Sequence, residues 1–170
     1  GNSLSMIYCL NENTIIGYTT GLDGNLRNFT IDANALGLTS FDPISIATSN
    51  RYPNLLFIQQ PTSILIVCVG YAPDFFQIIS TLNLSEVTGN YSFVIAEQQI
   101  VILQDDSISN YDISNIRAPA VINQGLNYIN GAAPLQLNNI AYSGSSYYSY
   151  KINDTAIGIF DTDLPDFREF

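Results

Sequence analysis

Apolar residues in this chain come in short runs rich in Ile, Val, Tyr and Phe, separated by Gly, Asn, Asp and Pro. Short runs bounded by turn-forming residues are typical of β-strands and not of amphipathic helices. Four segments each contain three such runs. They predict strands at residues 5–10, 14–20 and 26–32; 55–59, 64–70 and 75–82; 91–97, 100–104 and 107–114; and 139–143, 147–152 and 156–161.

Two stretches are candidates for helix. Residues 32–38 form a short one, because the run ends at Gly37 and glycine commonly terminates a helix. Residues 72–80 begin with Ala-Pro-Asp, which can open a helix, but the aromatic and β-branched residues that follow favour a strand. We therefore predict a strand there and an all-β chain.

The third strand of each segment has a similar sequence. These strands read NFTID at 28–32, FQIIS at 76–80, NYDIS at 110–114 and IGIFD at 157–161. Their matching residues Ile31, Ile79, Ile113 and Phe160 are separated by 48, 34 and 47 residues. Two of these intervals match repeats of about 40 to 50 residues, whereas the middle one is short. The pattern predicts recurring three- to four-stranded antiparallel meanders.

The layout resembles β-propellers with YVTN-type or lactonase-like blades, and the segments SISNYDIS at 107–114 and NLRNFTID at 25–32 carry the resemblance. The resemblance implies one all-β domain over residues 1–170, with blade-like units at about 5–48, 52–88, 91–123 and 128–165. It departs from the family in its uneven spacing and in having only four units. A two-sheet β-sandwich or jelly roll with the same strands is the alternative.

Charge argues against a nucleic-acid partner. Fifteen acidic residues against five basic ones give a net charge of -10. The basic residues are scattered singly along the chain, as Arg27, Arg51, Arg117, Lys151 and Arg168. Proteins that bind phosphate backbones or anionic lipids need clustered positive charge, so neither partner is expected. The longest apolar run, residues 64–69, is too short to cross a bilayer, and no membrane insertion is expected.

The composition favours an extracellular or surface-exposed protein. Only 12% of the residues are charged, and uncharged polar residues must cover the surface. The two cysteines, Cys9 and Cys68, lie in apolar runs, which predicts two buried free thiols. One disulfide between neighbouring strands is the alternative.

The chain offers little for catalysis. It contains no histidine, which removes the commonest general base, the Ser-His-Asp triad and most zinc sites. The adjacent acids Asp105 and Asp106 fit a turn better than an acid/base pair. We therefore predict no catalytic residues. The enzymatic alternative is a carbohydrate-active enzyme that uses two carboxylates from separate strands.

Alternating acids near the end of the sequence are a candidate metal site. Asp161, Asp163 and Asp166 provide oxygen ligands of the kind that Ca²⁺ prefers. The segment lacks the glycine and the distal Glu of an EF-hand loop. A solvated C-terminal segment is the alternative, and no other cofactor is expected.

The most unusual local composition is the Tyr- and Ser-rich segment 142–150, YSGSSYYSY. It predicts a β-hairpin that turns at Gly144 and Ser145. Tyrosine offers a large contact area at low entropic cost, and serine adds adaptable hydrogen bonds. The predicted ligand-binding residues are Tyr142, Tyr147, Tyr148 and Tyr150.

The sequence thus predicts a non-enzymatic binding or structural module on a cell or virion surface. Its expected partner is a protein or a glycan. Besides the carbohydrate-active enzyme, the alternative is an assembly subunit that pairs with other copies through its β edges, because unpaired strand edges invite such association.

Overall fold

A computed structural model of the chain describes residues 6–20, 24–70, 75–84, 91–104, 107–127, 140–142, 147–153, 156–161 and 167–169. These ranges contain fifteen strands and one short helix, which confirms the all-β prediction. The helix of the described ranges has four residues, so no helix there is long enough to cross a membrane. The chain divides into two compact units, residues 1–84 and 85–170.

The first unit contains two antiparallel sheets whose strands lie side by side in chain order. The first sheet consists of β1 Met6–Asn11, β2 Thr14–Thr20 and β3 Leu26–Ile31. The second sheet consists of β4 Ser45–Thr48, β5 Leu55–Gln60, β6 Ser63–Val69 and β7 Phe76–Asn83. The strand predicted over residues 75–82 is β7, as the aromatic and β-branched residues there indicate.

The second unit repeats this arrangement with two four-stranded antiparallel sheets. The third sheet consists of β8 Tyr91–Ala96, β9 Gln99–Gln104, β10 Ser107–Asp112 and β11 Ala120–Asn127. The fourth sheet consists of β12 Ile140–Tyr142, β13 Tyr147–Asn153, β14 Ala156–Asp161 and β15 Phe167–Glu169. Consecutive strands are hydrogen-bonded neighbours in each sheet, so the sheets are meanders.

Two-residue turns join β1 to β2 and β8 to β9. Asn11 pairs with Thr14 across the first turn, and Ala96 pairs with Gln99 across the second. The first turn residue is a glutamate in both cases, and Glu12 and Glu97 share the same positive φ of 49°. Tight hairpins need positive φ because it matches the twist of the flanking strands. Each unit therefore contains a two-residue turn that begins with a glutamate at positive φ.

The core of the first unit contains side chains from both of its sheets. Strand residues point alternately to opposite faces, so every second residue contributes. The buried cluster contains Ile15, Phe29 and Ile31 from the first sheet, with Leu56, Ile58, Leu65, Val67 and Val69 from the second, and Phe41 from the connection between the sheets.

The helix α1 Ala33–Leu36 occupies the predicted helical segment and has a cap at each end. The Ala35 backbone N–H donates to the Asp32 carboxylate at 2.8 Å. Gly37 ends the helix in the left-handed conformation, with φ 68°, where glycine has no Cβ to clash. Leu36 and Ala33 pack against the core cluster, which fixes this connection on the first unit.

The two cysteines confirm the prediction of free thiols but not the prediction that they are buried. Both thiols are free, but Cys9 is exposed and Cys68 is half-buried, so the prediction of buried thiols is wrong. The reason is strand alternation. Met6 and Tyr8 of β1 pack against the core, and Cys9 therefore lies on the opposite, exposed face.

Candidate functional site

The four predicted ligand-binding tyrosines lie on one hairpin of the fourth sheet. Tyr142 ends β12, and Tyr147, Tyr148 and Tyr150 belong to β13. The backbone register pairs Tyr142 with Tyr148. The predicted hairpin is therefore confirmed in its two strands, while its tip, residues 143–146, lies outside the described residues.

Strand alternation divides these tyrosine positions between the two faces of the sheet. Positions 142 and 148 are in register and so share a face, and position 150 shares it because it is two residues further along β13. Position 147 falls on the opposite face, in register with Asp161. The fold thus brings three of the four predicted positions together and separates the fourth.

The predicted metal ligands are only partly described. Asp161 is the last residue of β14, whereas Asp163 and Asp166 lie outside the described residues, as do Asp105 and Asp106. Where the structure does describe the chain, no group of three or more His, Cys, Asp or Glu side chains is placed to hold a metal ion. Calcium binding by the C-terminal aspartates stays a prediction.

Three polar side chains on one face of the third sheet were missed by the sequence analysis. Ser92 on β8, Gln99 on β9 and Asn110 on β10 each carry a buried oxygen that has no hydrogen-bond partner. Asn110 is only 2% exposed. The register places the three on the same face as Val101, because Asn110 pairs with Val101 directly and the others follow by alternation. We call this set the polar face of the third sheet.

The pairing of β10 with β11 is irregular on both sides of Asn110. Asn110 pairs with Asn123, but the register shifts between Ile108 and Asn110 and again between Asn110 and Tyr111. Such bulges redirect side chains and are common beside functional sites. The available sequence signal was an asparagine in the middle of a predicted strand, where this residue type is depleted.

Within the second unit, β12 of the tyrosine hairpin contacts β8, the strand that carries Ser92. The described groups of the polar face are one hydroxyl, on Ser92, and two amides, on Gln99 and Asn110. The nearby Asp112 carboxylate is already engaged, since it accepts from the Ser114 backbone N–H at 2.7 Å and from the Ser114 hydroxyl at 3.0 Å.

No protein-family model matches the chain, and no curated protein matches it. Its fold is similar to a solved structure described as a functionally unknown protein from Desulfotomaculum acetoxidans, with a TM-score of 0.57 and 14% sequence identity. The match covers 89% of this chain and 48% of that one, so this chain spans about half the length of the protein it resembles. At this identity the similarity concerns the fold alone.

Proposed function

We propose that this chain is a non-catalytic binding module that recognises a protein or a glycan through the tyrosine hairpin of the fourth sheet. The observation that carries the proposal is the backbone register, which aligns Tyr142 with Tyr148 and leaves Tyr150 on the same face. Three tyrosine positions on one face of a hairpin provide a broad, rigid and amphipathic contact surface.

The chemistry of tyrosine fits both kinds of ligand. An aromatic ring packs against the apolar face of a sugar or against a hydrophobic side chain, and the phenol hydroxyl binds a neighbouring polar group. The low fraction of charged residues, 12%, supports a ligand that is itself largely uncharged, and it supports a secreted or surface-exposed location.

The scaffold in this proposal is propeller-like, with each sheet corresponding to one blade. The support is the meander order of the strands in every sheet and the burial of both faces of the second sheet. On one face of that sheet Ile58 and Val67 join the core cluster, and on the other Phe57 and Ile66 are fully buried. Blades of a propeller are covered on both faces in this way.

The test is a screen of the purified chain against glycan and protein arrays, followed by affinity measurement for any hit. Tyr142→Ala and Tyr148→Ala are each expected to weaken binding at least tenfold, because loss of an aromatic hot-spot residue costs about 2 kcal/mol or more, above the roughly 1.4 kcal/mol of a tenfold change. Tyr148→Phe keeps the ring and removes the hydroxyl, so it distinguishes their contributions to the affinity. Tyr52→Ala, which removes a tyrosine of the first unit, is the matched control and is expected to bind as the wild type does.

Two outcomes would contradict the proposal. One is turnover of an arrayed glycan by the wild-type chain, which would favour the carbohydrate-active enzyme. The other is binding that survives both alanine substitutions unchanged, which would place the ligand elsewhere on the molecule.

A further inference from the structure

The sequence contains acceptor motifs for N-linked glycosylation, in which an asparagine is followed two residues later by serine or threonine and the residue between them is not proline. The asparagines of these motifs are Asn28, Asn83, Asn90 and Asn153. The motif at residues 28–30 is described over all three of its positions, whereas each of the others includes a residue outside the described ranges. The geometry of an intact motif can therefore be followed at Asn28.

The motif Asn28-Phe29-Thr30 lies within β3, which is an outer strand of the first sheet. Strand alternation places Asn28 and Thr30 on one face, and both side chains are exposed there. Phe29, between them, belongs to the core cluster and is 8% exposed. The fold thus presents the acceptor amide and the hydroxyl of the motif together, on a face that is open to solvent.

The surroundings of Asn28 suit a carbohydrate. Tyr18 on β2 is its register partner, and the Cβ atoms of such partners lie about 4.5 to 5.5 Å apart. On the same face, Leu26 is 72% exposed, and Ile7, the register partner of Tyr18 on β1, is 64% exposed. The outward positions of these three strands carry no charged residue. Aromatic and aliphatic side chains of this kind pack against the apolar face of a sugar ring.

The motif that begins at Asn90 has a different environment. Its third residue is Ser92 on β8, whose hydroxyl oxygen is buried and has no hydrogen-bond partner. The hydroxyl that completes that motif is therefore hidden once β8 has formed, whereas the Thr30 hydroxyl stays on an exposed face. This difference separates Asn28 from a motif that the sequence alone would rank equally.

We propose that Asn28 is a site of N-linked glycosylation and that the first sugar packs against Tyr18. The donor is an oligosaccharide linked to a lipid through pyrophosphate. The Asn28 amide nitrogen forms a bond to the anomeric carbon of the first sugar as the bond from that carbon to the pyrophosphate oxygen breaks. The amide releases one proton, and the lipid pyrophosphate leaves with the bonding electrons. The inference rests on the secreted or surface-exposed location proposed above, because such glycans belong to secreted proteins, and it does not depend on the tyrosine hairpin.

A glycan at Asn28 changes how the first sheet meets other molecules. N-linked glycans are bulky and solubilising. One at Asn28 shields Leu26 and Ile7, which are large exposed aliphatic side chains in a chain with only 12% charged residues. It also obstructs pairing of the outer strand β3 with another chain, which is a hazard of unpaired strand edges.

The test is expression of the full chain behind a cleavable secretion signal in a eukaryotic cell. Release of glycans by peptide N-glycosidase in water labelled with heavy oxygen converts each occupied asparagine to a labelled aspartate, which mass spectrometry locates. We expect Asn28 to be occupied in most molecules, in the secreted and the cell-retained chain alike. Thr30→Val keeps the β-branched shape and removes the hydroxyl, so it should abolish the modification. Thr30→Ser keeps the motif and is the matched control that should retain it.

Urea unfolding tests the contact with Tyr18. The glycosylated wild type should have a higher urea midpoint than Asn28→Gln, and this difference should largely disappear when both chains also carry Tyr18→Ala. A difference that Tyr18→Ala leaves unchanged would overturn the packing of the sugar on this ring.

Two results would overturn the attachment site itself. One is an unmodified Asn28 in the wild-type chain, and the other is modification of Asn28 that persists in Thr30→Val. Asn28→Gln is expected to bind any ligand of the tyrosine hairpin as the wild type does, so a failed ligand test and a failed glycosylation test are distinguishable.

Discussion

Gly17 lies beneath the ring of Phe29, and this contact makes it the most informative position to change. The two residues are register partners on β2 and β3. A Cβ added at Gly17 would lie 2.9 Å from Cε1 of Phe29 and closer still to Cε2 and Cζ. Carbon atoms pack at about 3.5 to 4.0 Å, so the ring must move or the strands must separate.

The ring has little freedom to move. Phe29 is 8% exposed, and its centroid lies 6.2 Å from that of Tyr8 and 5.3 Å from that of Phe76. Overpacking of this kind costs about 1 to 3 kcal/mol, whereas loss of glycine flexibility in the unfolded chain returns about 0.4 to 1 kcal/mol. We expect Gly17→Ala to destabilise the chain by about 1 to 2 kcal/mol, which lowers Tm by about 2 to 4 °C per kcal/mol at this chain length.

Equilibrium urea unfolding measures this change, and Gly70→Ala is the matched control. A Cβ at Gly70 would lie 2.7 Å from Cδ1 of Phe75 and 3.0 Å from its Cβ. Because Phe75 is 51% exposed, its ring can turn away and only the Cβ contact needs a small backbone shift, so the cost should stay below about 1 kcal/mol. Combining Gly17→Ala with Phe29→Leu relieves the clash, so the double variant should lose about 1 kcal/mol less than the sum of the single variants. A Gly17→Ala chain as stable as the wild type, or strictly additive single variants, would refute this account of the pair.

Three further predictions concern single side chains. Asn110→Leu replaces a buried amide, whose oxygen has no hydrogen-bond partner, with an apolar group of similar size. It should raise the free energy of unfolding, measured in urea, by about 1 kcal/mol. A clear loss of stability would mean that the amide oxygen does have a partner. Asp32→Ala removes the carboxylate that accepts from the Ala35 N–H, and it should lower the free energy of unfolding by about 1 kcal/mol, whereas Asp32→Asn should stay close to the wild type. Equal stability of the wild type and both variants in the same assay would count against the cap. Burial raises the pKa of Tyr8 to about 12 from an ordinary value of 10.0, so its contribution to stability is complete below pH 10 and is lost as the pH rises toward about 12. Tyr8→Phe should therefore lose less stability than the wild type across that interval when urea midpoints are compared, and identical profiles would be evidence against a buried phenol.

Much of the local structure followed from the sequence because its causes are local. Alternation of apolar residues and nearby turn formers depend only on neighbouring positions, and the predicted strands correspond closely to those observed, including β5, β6 and β9. Gly37 likewise marked the end of the predicted helix, because glycine adopts the left-handed conformation that terminates a helix without steric cost. The same locality explains why the tyrosine hairpin was predicted correctly in its two strands.

Strands with weak patterns needed the tertiary structure. The strand β4 has four residues, too few to show alternation, and it forms because the Ser45 hydroxyl and the Ile44 N–H both bond to Gln59 on β5. The strand β11 was missed because the bulges opposite β10 break its alternation. The sequence does not show these hydrogen bonds or bulges, because both depend on which strand pairs with which.

The sequence by itself determined that this protein is built from antiparallel hairpins, and it located most of their strands, because strand and turn propensities act between neighbours along the chain. Only the tertiary structure decided which faces are buried. It placed Cys9 on an exposed face, buried Asn110 without a partner for its oxygen, and seated Phe29 over Gly17. Burial depends on which sheet covers which face, and that is settled by packing between residues far apart in the sequence.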